Sequence, residues 1–291
     1  MSDATSDHPL HERIAAAALT PSEAQVAAFI VANSALVAVS STAELGRLTS
    51  TSDATVVRTA KKLGYPNFRE LRRSALATSN RYLDPSKVLD DQLGQIGSSS
   101  FGARRVLRDT AELVAQFEAN LDAESWDRAV AAMADAARVV AYGIGPSGCA
   151  ADYLSTKVKR AGVPSTSIKA TGLTLADHLL DITADDVVLV FATLRRFREI
   201  DIVLEHAADV GATTILVSET LGITLRDRVD IVLATPPTTH GTSDGVIMGM
   251  IVARALELSV AAQDQANAVR SMEQINALRA NIVGGKLDIE G

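Results

Sequence analysis

The sequence predicts an α/β protein in two parts: an all-helical N-terminal helix-turn-helix domain, then a parallel-sheet α/β sandwich. Three observations carry this expectation. Between Thr42 and Arg81 eight basic residues (Arg47, Arg58, Lys61, Lys62, Arg69, Arg72, Arg73, Arg81) face three acidic ones (Glu44, Asp53, Glu70), a local +5 within a chain of net charge −7. The rest of the chain therefore carries about −12, and a basic segment on an acidic body fits either a polyanion-binding module or a solvated Lys/Arg-rich helical surface. Helix-capping signals punctuate the same basic segment. Beyond Ser125, Val/Ile/Leu runs of strand length alternate with helical stretches, as in a parallel sheet covered on both faces.

At 291 residues, with 47% hydrophobic and 4% aromatic residues, the chain can form two modest domains with aliphatic cores. Cys149 is the only cysteine, which excludes a disulfide framework and a Cys-rich zinc site and fits a reducing compartment. The start, MSDATSDHPLHER, lacks a basic segment followed by an apolar one, and no window approaches ~18 continuous apolar residues. The expectation is a soluble, cytoplasmic protein with no membrane partner and no cofactor. No His/Asp/Glu cluster has metal-site spacing, and no Gly-Lys-Ser/Thr phosphate loop occurs.

The first helix opens at TPSE, where Thr20 caps, Pro21 takes the first helical position and Glu23 completes a capping box; it should run to about Asn33. A second box, STAE, uses Ser41 and Glu44 and opens a short helix with Leu45 and Leu48 turned inward. After TSTSD breaks the pattern, a third helix begins near Asp53 and stops at Gly64. Its apolar face should hold Val56, Val57, Ala60 and Leu63, and its outward face Thr55, Arg58, Thr59 and Lys62. Two short helices joined by a polar turn form a helix-turn-helix, whose second helix reads bases near its N-terminus. Ser52, Thr55, Arg58 and Thr59 are the candidate base readers, Arg58 because a guanidinium pairs bidentately with guanine. Lys61, Lys62, Arg69, Arg72 and Arg73 are placed for phosphates.

Ser52, Thr55, Val56 and Arg58, then Leu63-Gly64-Tyr65 and Phe68, Glu70 and Leu71, carry a resemblance. They resemble the Ser-x-x-Thr-Val-x-Arg, Leu-Gly-Phe/Tyr and F-x-E-L elements of the helix-turn-helix domain of the MurR/RpiR transcription regulators. The resemblance covers about the first quarter of the chain, with the domain placed at 1–77, and implies a double-stranded DNA operator as partner.

Residues 77–101, with Pro85, two glycines and a triple serine, have linker composition. A helix from Ala103 to about Asn120 completes a connecting region over 78–124. Five strand signals follow, in RVVAYG, VPSTSI, DVVLVFA, TTILVS and VDIVLAT, separated by helices within an α/β domain at 125–262. Two C-terminal helices at 243–262 and 266–282 follow, leaving 263–291 as a C-terminal helix and tail. The apolar helix GVIMGMIVARALELSVAA suits either a subunit contact or a core.

Ligands of parallel sheets bind beyond the strand C-terminal ends. There GIGPSG presents Gly143, Gly145 and Gly148 in the G-x-G-x-x-G order of dinucleotide sites, but no carboxylate follows the second strand, where Lys169 stands instead. The same loop could hold a different anion on Ser147 and the helix N-terminus, or it could be a tight turn needing glycine. YGIGPSGCAADYL resembles the first loop of the SIS (sugar isomerase) domain, with Ser147 at its phosphate-contacting serine, and LRDRVDIVLATP resembles the last strand region. The resemblance implies a SIS-like fold and phosphosugar binding.

The SIS pattern has a second Ser-x-Ser-Gly-x-Thr loop after its third strand. Here the chain reads Ala192-Thr193-Leu194-Arg195-Arg196-Phe197, so guanidinium groups replace hydroxyls. Thr193, Arg195 and Arg196 are candidate ligand contacts, because arginine forks onto carboxylate or phosphate; the alternative is that the arginines are solvated or make ion pairs. His240 is a further candidate, in a loop at the sheet's end. The implied function is a regulator whose SIS-like domain senses a small anionic metabolite, a phosphosugar or related acid, and acts as a homodimer or homotetramer. The alternative is a phosphosugar isomerase with an accessory DNA-binding domain. No histidine or carboxylate sits in a spacing that signals a catalytic base.

Overall fold

The computed structural model describes residues 13–283 apart from 15–16, 33–36, 38–39, 84, 98, 194, 220, 237 and 239–241. The chain divides into two compact units, at Ala103 and Arg104.

In the first unit, α1 (Pro21–Ala32), α2 (Thr42–Leu48) and α3 (Asp53–Lys62) surround a core of Val26, Ile30, Leu45, Val56, Ala60, Leu63 and Leu71. Local capping sets each start. Thr20 N–H donates to Glu23 at 2.8 Å and Glu23 N–H to Thr20 Oγ1 at 3.4 Å, and Ser41 and Glu44 form the second reciprocal box. Ser52 caps α3 by accepting from Thr55 N–H, and Gly64, at φ +80°, follows its end. Two sequence expectations fail on facing. Leu48 is 43% exposed rather than inward, because α2 is only seven residues long and buries Leu45 and Gly46. The buried face of α3 is rotated to include Thr55 and Thr59, with Val57 only half-buried.

The expected linker is helical. α4 (Phe68–Leu83), α5 (Pro85–Ile96) and α6 (Ser99–Ala119) occupy it, with Pro85 at the first position of α5, where its missing N–H costs nothing. Leu89 and Leu93 of α5 are 54% and 57% exposed, so this stretch lacks the buried stripe that would mark it as helix in the sequence.

The second unit contains α7 (Ala123–Asp135), β1 (Arg138–Gly143), α8 (Ser147–Arg160), β2 (Ser165–Ile168), α9 (Thr174–Leu179), β3 (Asp186–Phe191) and α10 (Arg198–Val210). It continues through β4 (Thr213–Ser218), α11 (Leu221–Thr224), a 3-10 turn at Arg226–Arg228, β5 (Ile231–Ala234), α12 (Gly245–Gln263) and α13 (Gln265–Val283). The five strands are parallel, in the order β2-β1-β3-β4-β5. The order reverses at β1, which puts a crevice beyond the ends of β1 and β3. One face of the sheet is covered by a cluster including Met133, Leu154, Val252 and Leu256, and the other by one including Leu175, Val203, Leu204 and Leu225.

By length and composition α12 could cross a membrane, but Met248, Val252, Leu256 and Val260 lie in the core of this unit. This favours the core reading of that helix. By contrast α13 buries no residue and exposes Val269, Leu278 and Ile282.

Candidate functional site

On the outer side of the helix-turn-helix, α3 presents Arg58 and Lys61 to solvent, beside Ser52 at its cap. Arg58 Nη2 donates to Thr55 Oγ1 at 3.0 Å, and Thr55 Oγ1 lies 2.9 Å from Ser52 Oγ. Thr55 is thus a support that aims the guanidinium. Thr59 is fully buried and its hydroxyl donates to the Thr55 carbonyl at 2.9 Å, which takes it off the reading face. Lys62 bonds Glu23 at 2.6 Å and the Ala18 carbonyl at 3.2 Å, so its ammonium pins α3 to the start of α1 instead of projecting outward. The Lys62 ammonium, then the Thr20 amide, pull the Glu23 carboxyl down to about 2. Arg69 and Arg72 are exposed on α4, while Arg73 pairs with Glu70 at 2.6 Å.

The second site lies at the C-terminal edge of the sheet. The turn from β1 into α8 is built by glycine: Gly145 has φ +57°, and a Cβ on Gly143 would sit 2.5 Å from the Ser147 carbonyl oxygen. A Cβ on Gly148 would meet the Lys169 stem at 2.8 Å. The N–H groups of Ser147, Gly148 and Cys149 donate to the carbonyls of Ile144, Gly145 and Pro146, and no side chain caps the helix. The turn therefore uses these amides itself, and Ser147 is the residue of the loop that lines the cleft. Lys169, where a dinucleotide site would have its acid, pairs with Asp152.

Thr193, Phe191, Thr235 and Gly245 form the other walls. The cleft has about 240 Å³ of empty volume, part of it open to solvent. Thr193 is held by its carbonyl, which accepts from Glu219 N–H at 3.1 Å and Ser218 Oγ at 3.2 Å. Arg196 turns away from the cleft: its Nε and Nη2 engage Asp201 at 3.0 Å and 2.7 Å. Asp201 also binds Arg228 at 2.6 Å, which in turn holds Glu205 at 2.7 Å. Burial raises the Asp201 carboxyl, but the two guanidiniums outweigh it and hold it below its ordinary value. The expected role of Arg196 in ligand contact thus gives way to the ion-pair alternative. Arg195 is half-buried and does not line the cleft, and His240 lies outside the described residues.

Glu219, one of the carboxylates available in the sequence but in no spacing that signals catalysis, follows β4 directly. Its carboxylate accepts from Thr238 N–H at 2.8 Å and from Thr238 Oγ1 at 2.9 Å. A Cβ on Gly245 would lie 2.0 Å from Glu219 Oε1, so the acid packs against the backbone at the start of α12. Burial, with Asp244 nearby, pushes this carboxyl upward. Its position at a strand's C-terminal end was the available signal. Among the described residues no group of three or more His, Cys, Asp or Glu could hold a metal ion.

Residues 12–80 match the family model of the helix-turn-helix domain, rpiR family, and residues 132–263 match that of the SIS domain. The chain is a member of the RpiR family. This RpiR-family chain is 28% identical over 199 residues to an HTH-type transcriptional regulator of Caldanaerobacter subterraneus subsp. tengcongensis, covering 67% of this chain and 68% of that one. It is 27% identical to the bifunctional protein glk of Paraburkholderia xenovorans, over 75% of this chain but 33% of that protein. The sugar isomerase domain of an RpiR transcription factor from Sphaerobacter thermophilus superposes with a TM-score of 0.55 at 21% identity, covering 60% of this chain and 98% of that domain. The Vibrio vulnificus NanR protein, complexed with ManNAc-6P, does so with a TM-score of 0.56 at 16% identity, over 94% of this chain and 97% of that one. At these identities the likeness is one of fold.

Proposed function

We propose that this protein is a cytoplasmic transcription regulator, acting as a homodimer or homotetramer. Its helix-turn-helix binds an operator through Arg58 and Ser52 with phosphate contacts from Lys61, Arg69 and Arg72, and its SIS domain senses a small anionic metabolite. A phosphorylated sugar is the ligand class that the SIS fold and the NanR complex favour. Two or more copies supply the paired recognition helices that one short site cannot.

One observation carries the link between sensing and DNA binding. Asp109 of α6 accepts from Thr242 N–H at 2.8 Å and Thr242 Oγ1 at 3.0 Å, and Thr110 Oγ1 lies 3.2 Å from Ser243 Oγ. The gripped segment leads directly to Gly245, a wall of the cleft. The Gly245 wall of the cleft is thereby tied to α6. The same helix begins at Ser99, within the first unit. Ligand binding in the cleft therefore has a physical route to a helix shared by both units, and differential affinity for two arrangements shifts their populations.

The ligand-binding half is tested by a thermal-shift screen of purified protein against sugar phosphates and unphosphorylated carboxylic acids, with Ser147→Ala as control. A concentration-dependent rise in melting temperature, lost in Ser147→Ala, is the expected result; a hit unchanged in that variant removes Ser147 from the site. The isomerase alternative requires a general base beside the sugar. Turnover of a hexose or pentose phosphate by the purified protein would decide for it.

A further inference from the structure

We propose that Thr235 is a further ligand-binding residue of the cleft: its hydroxyl joins those of Ser147 and Thr193 in a neutral cradle for the three terminal oxygens of a phosphomonoester. The inference rests on the effector-binding reading above and deepens it. Thr235 directly follows β5, and its N–H donates to the Ser218 carbonyl at 2.9 Å, so the pairing of β4 with β5 runs on through it. Side chains alternate along a strand, which puts Thr235 on the face of Ile231 and Leu233. Thr193 shares the face of Phe191 by the same alternation, since Ala192 N–H and the Thr193 carbonyl continue the pairing of β3 with β4. That face is packed by Leu154 of α8 and Val252 of α12, and at its edge Ser147, Thr193 and Thr235 all line the cleft.

The backbones of the two threonines are committed, whereas their hydroxyls are not. Ser218 stands between them in the sheet: its carbonyl accepts from Thr235 N–H, and its hydroxyl donates to the Thr193 carbonyl at 3.2 Å. Buried polar groups are ordinarily hydrogen-bonded, and in the second unit the buried hydroxyls of Ser165, Thr214, Ser218, Thr242 and Ser243 all have partners. Thr235 is only 6% exposed, yet among the described residues its hydroxyl has no hydrogen-bond partner. Ser155 is the other buried hydroxyl of this unit in that state, and of the two Thr235 is the one that lines the cleft. The hydroxyls of Ser147 and Thr193 are also unpartnered among the described residues. No charged residue among those described lines the cleft, and Arg196 is held by Asp201. Three hydroxyl donors from the ends of β1, β3 and β5 match a tetrahedral group with three terminal oxygens, whereas a carboxylate has only two.

The test titrates the full-length protein with inorganic phosphate, glucose 6-phosphate and gluconate at constant ionic strength and follows the melting temperature. The wild type is compared with Thr235→Val, Thr235→Ser and Ser147→Ala. Valine keeps the branched shape of threonine and deletes the hydroxyl. Both phosphates should stabilise the wild type more than gluconate does. Thr235→Val should raise their apparent dissociation constants about tenfold, the loss of one hydrogen bond to a charged group, and Thr235→Ser, which keeps the hydroxyl, should restore binding. Without ligand, Thr235→Val should melt no lower than the wild type, because a buried hydroxyl with no partner adds nothing to the fold. A lower melting temperature of ligand-free Thr235→Val, or phosphate binding kept in Thr235→Val and lost in Ser147→Ala, overturns the role of Thr235 and leaves the effector site standing. Binding lost equally in Thr235→Ser and Thr235→Val overturns the hydroxyl as the contact, and stabilisation by gluconate alone overturns the phosphomonoester class. Stabilisation of the wild type by none of the three overturns the effector site as well.

Discussion

At the scale of single residues, chemistry and partner together decide what a side chain is for. Arg58 is an exposed guanidinium aimed by Thr55, whereas Lys62, only four positions on, is consumed by Glu23. Arg58→Ala should weaken specific DNA binding by about 1–3 kcal/mol and relax preference at one base pair, with non-specific binding little changed. Competition binding against an operator selected in vitro measures both, and unchanged affinity with unchanged preference would remove Arg58 from the reading set. The sequence makes Arg58 legible because the residue type and its place near a capped helix start suffice. Thr59 was misplaced by one step of helical phase, and Lys62 and Arg196 by partners the spacing could not reveal. Glu23 lies 39 residues from Lys62, and Asp201 approaches Arg196 only through the way the loop enters α10.

At the scale of elements, caps and apolar runs were legible because they are local. Thr20 with Glu23 and Ser41 with Glu44 formed as their spacing indicated, and all five strand signals became strands. Their order was not legible, since it depends on which side each crossover passes. The helices across 78–103 were hidden because Leu89 and Leu93 of α5 face solvent, leaving no buried stripe to detect. The Glu23–Lys62 pair joins α1 to α3, and its acid response follows from linkage. The folded carboxyl titrates near 2 instead of 4.5, so its contribution is complete above about 4.5 and is lost as pH falls through that window toward 2. Glu23→Gln should therefore lower the melting temperature at pH 7 and flatten the fall in stability between about pH 4.5 and 2. A Glu23→Gln profile parallel to the wild type across this window would contradict the assignment.

At the scale of the whole molecule, the RpiR-type helix-turn-helix and the SIS domain were both readable from motifs. The hydrogen bonds that tie α6 to the segment before α12 lie within the second unit and join residues 133 apart, Asp109 with Thr242, which no local pattern signals. Burial alone would raise the Asp109 carboxyl; Arg105 and the two Thr242 donors hold it below its ordinary value, so it remains a charged acceptor at neutral pH. If α6 carries the signal, effector and operator affinities are coupled reciprocally, by about 1–3 kcal/mol in a typical case. The most direct measurement is the operator dissociation constant of the full-length protein with and without saturating effector, in the wild type and in Asp109→Ala. The account predicts a shift of about 5- to 150-fold in the wild type, nearly abolished in Asp109→Ala although the variant still binds effector within about twofold. An operator affinity indifferent to bound effector in the wild type, or an undiminished shift in Asp109→Ala, would contradict it.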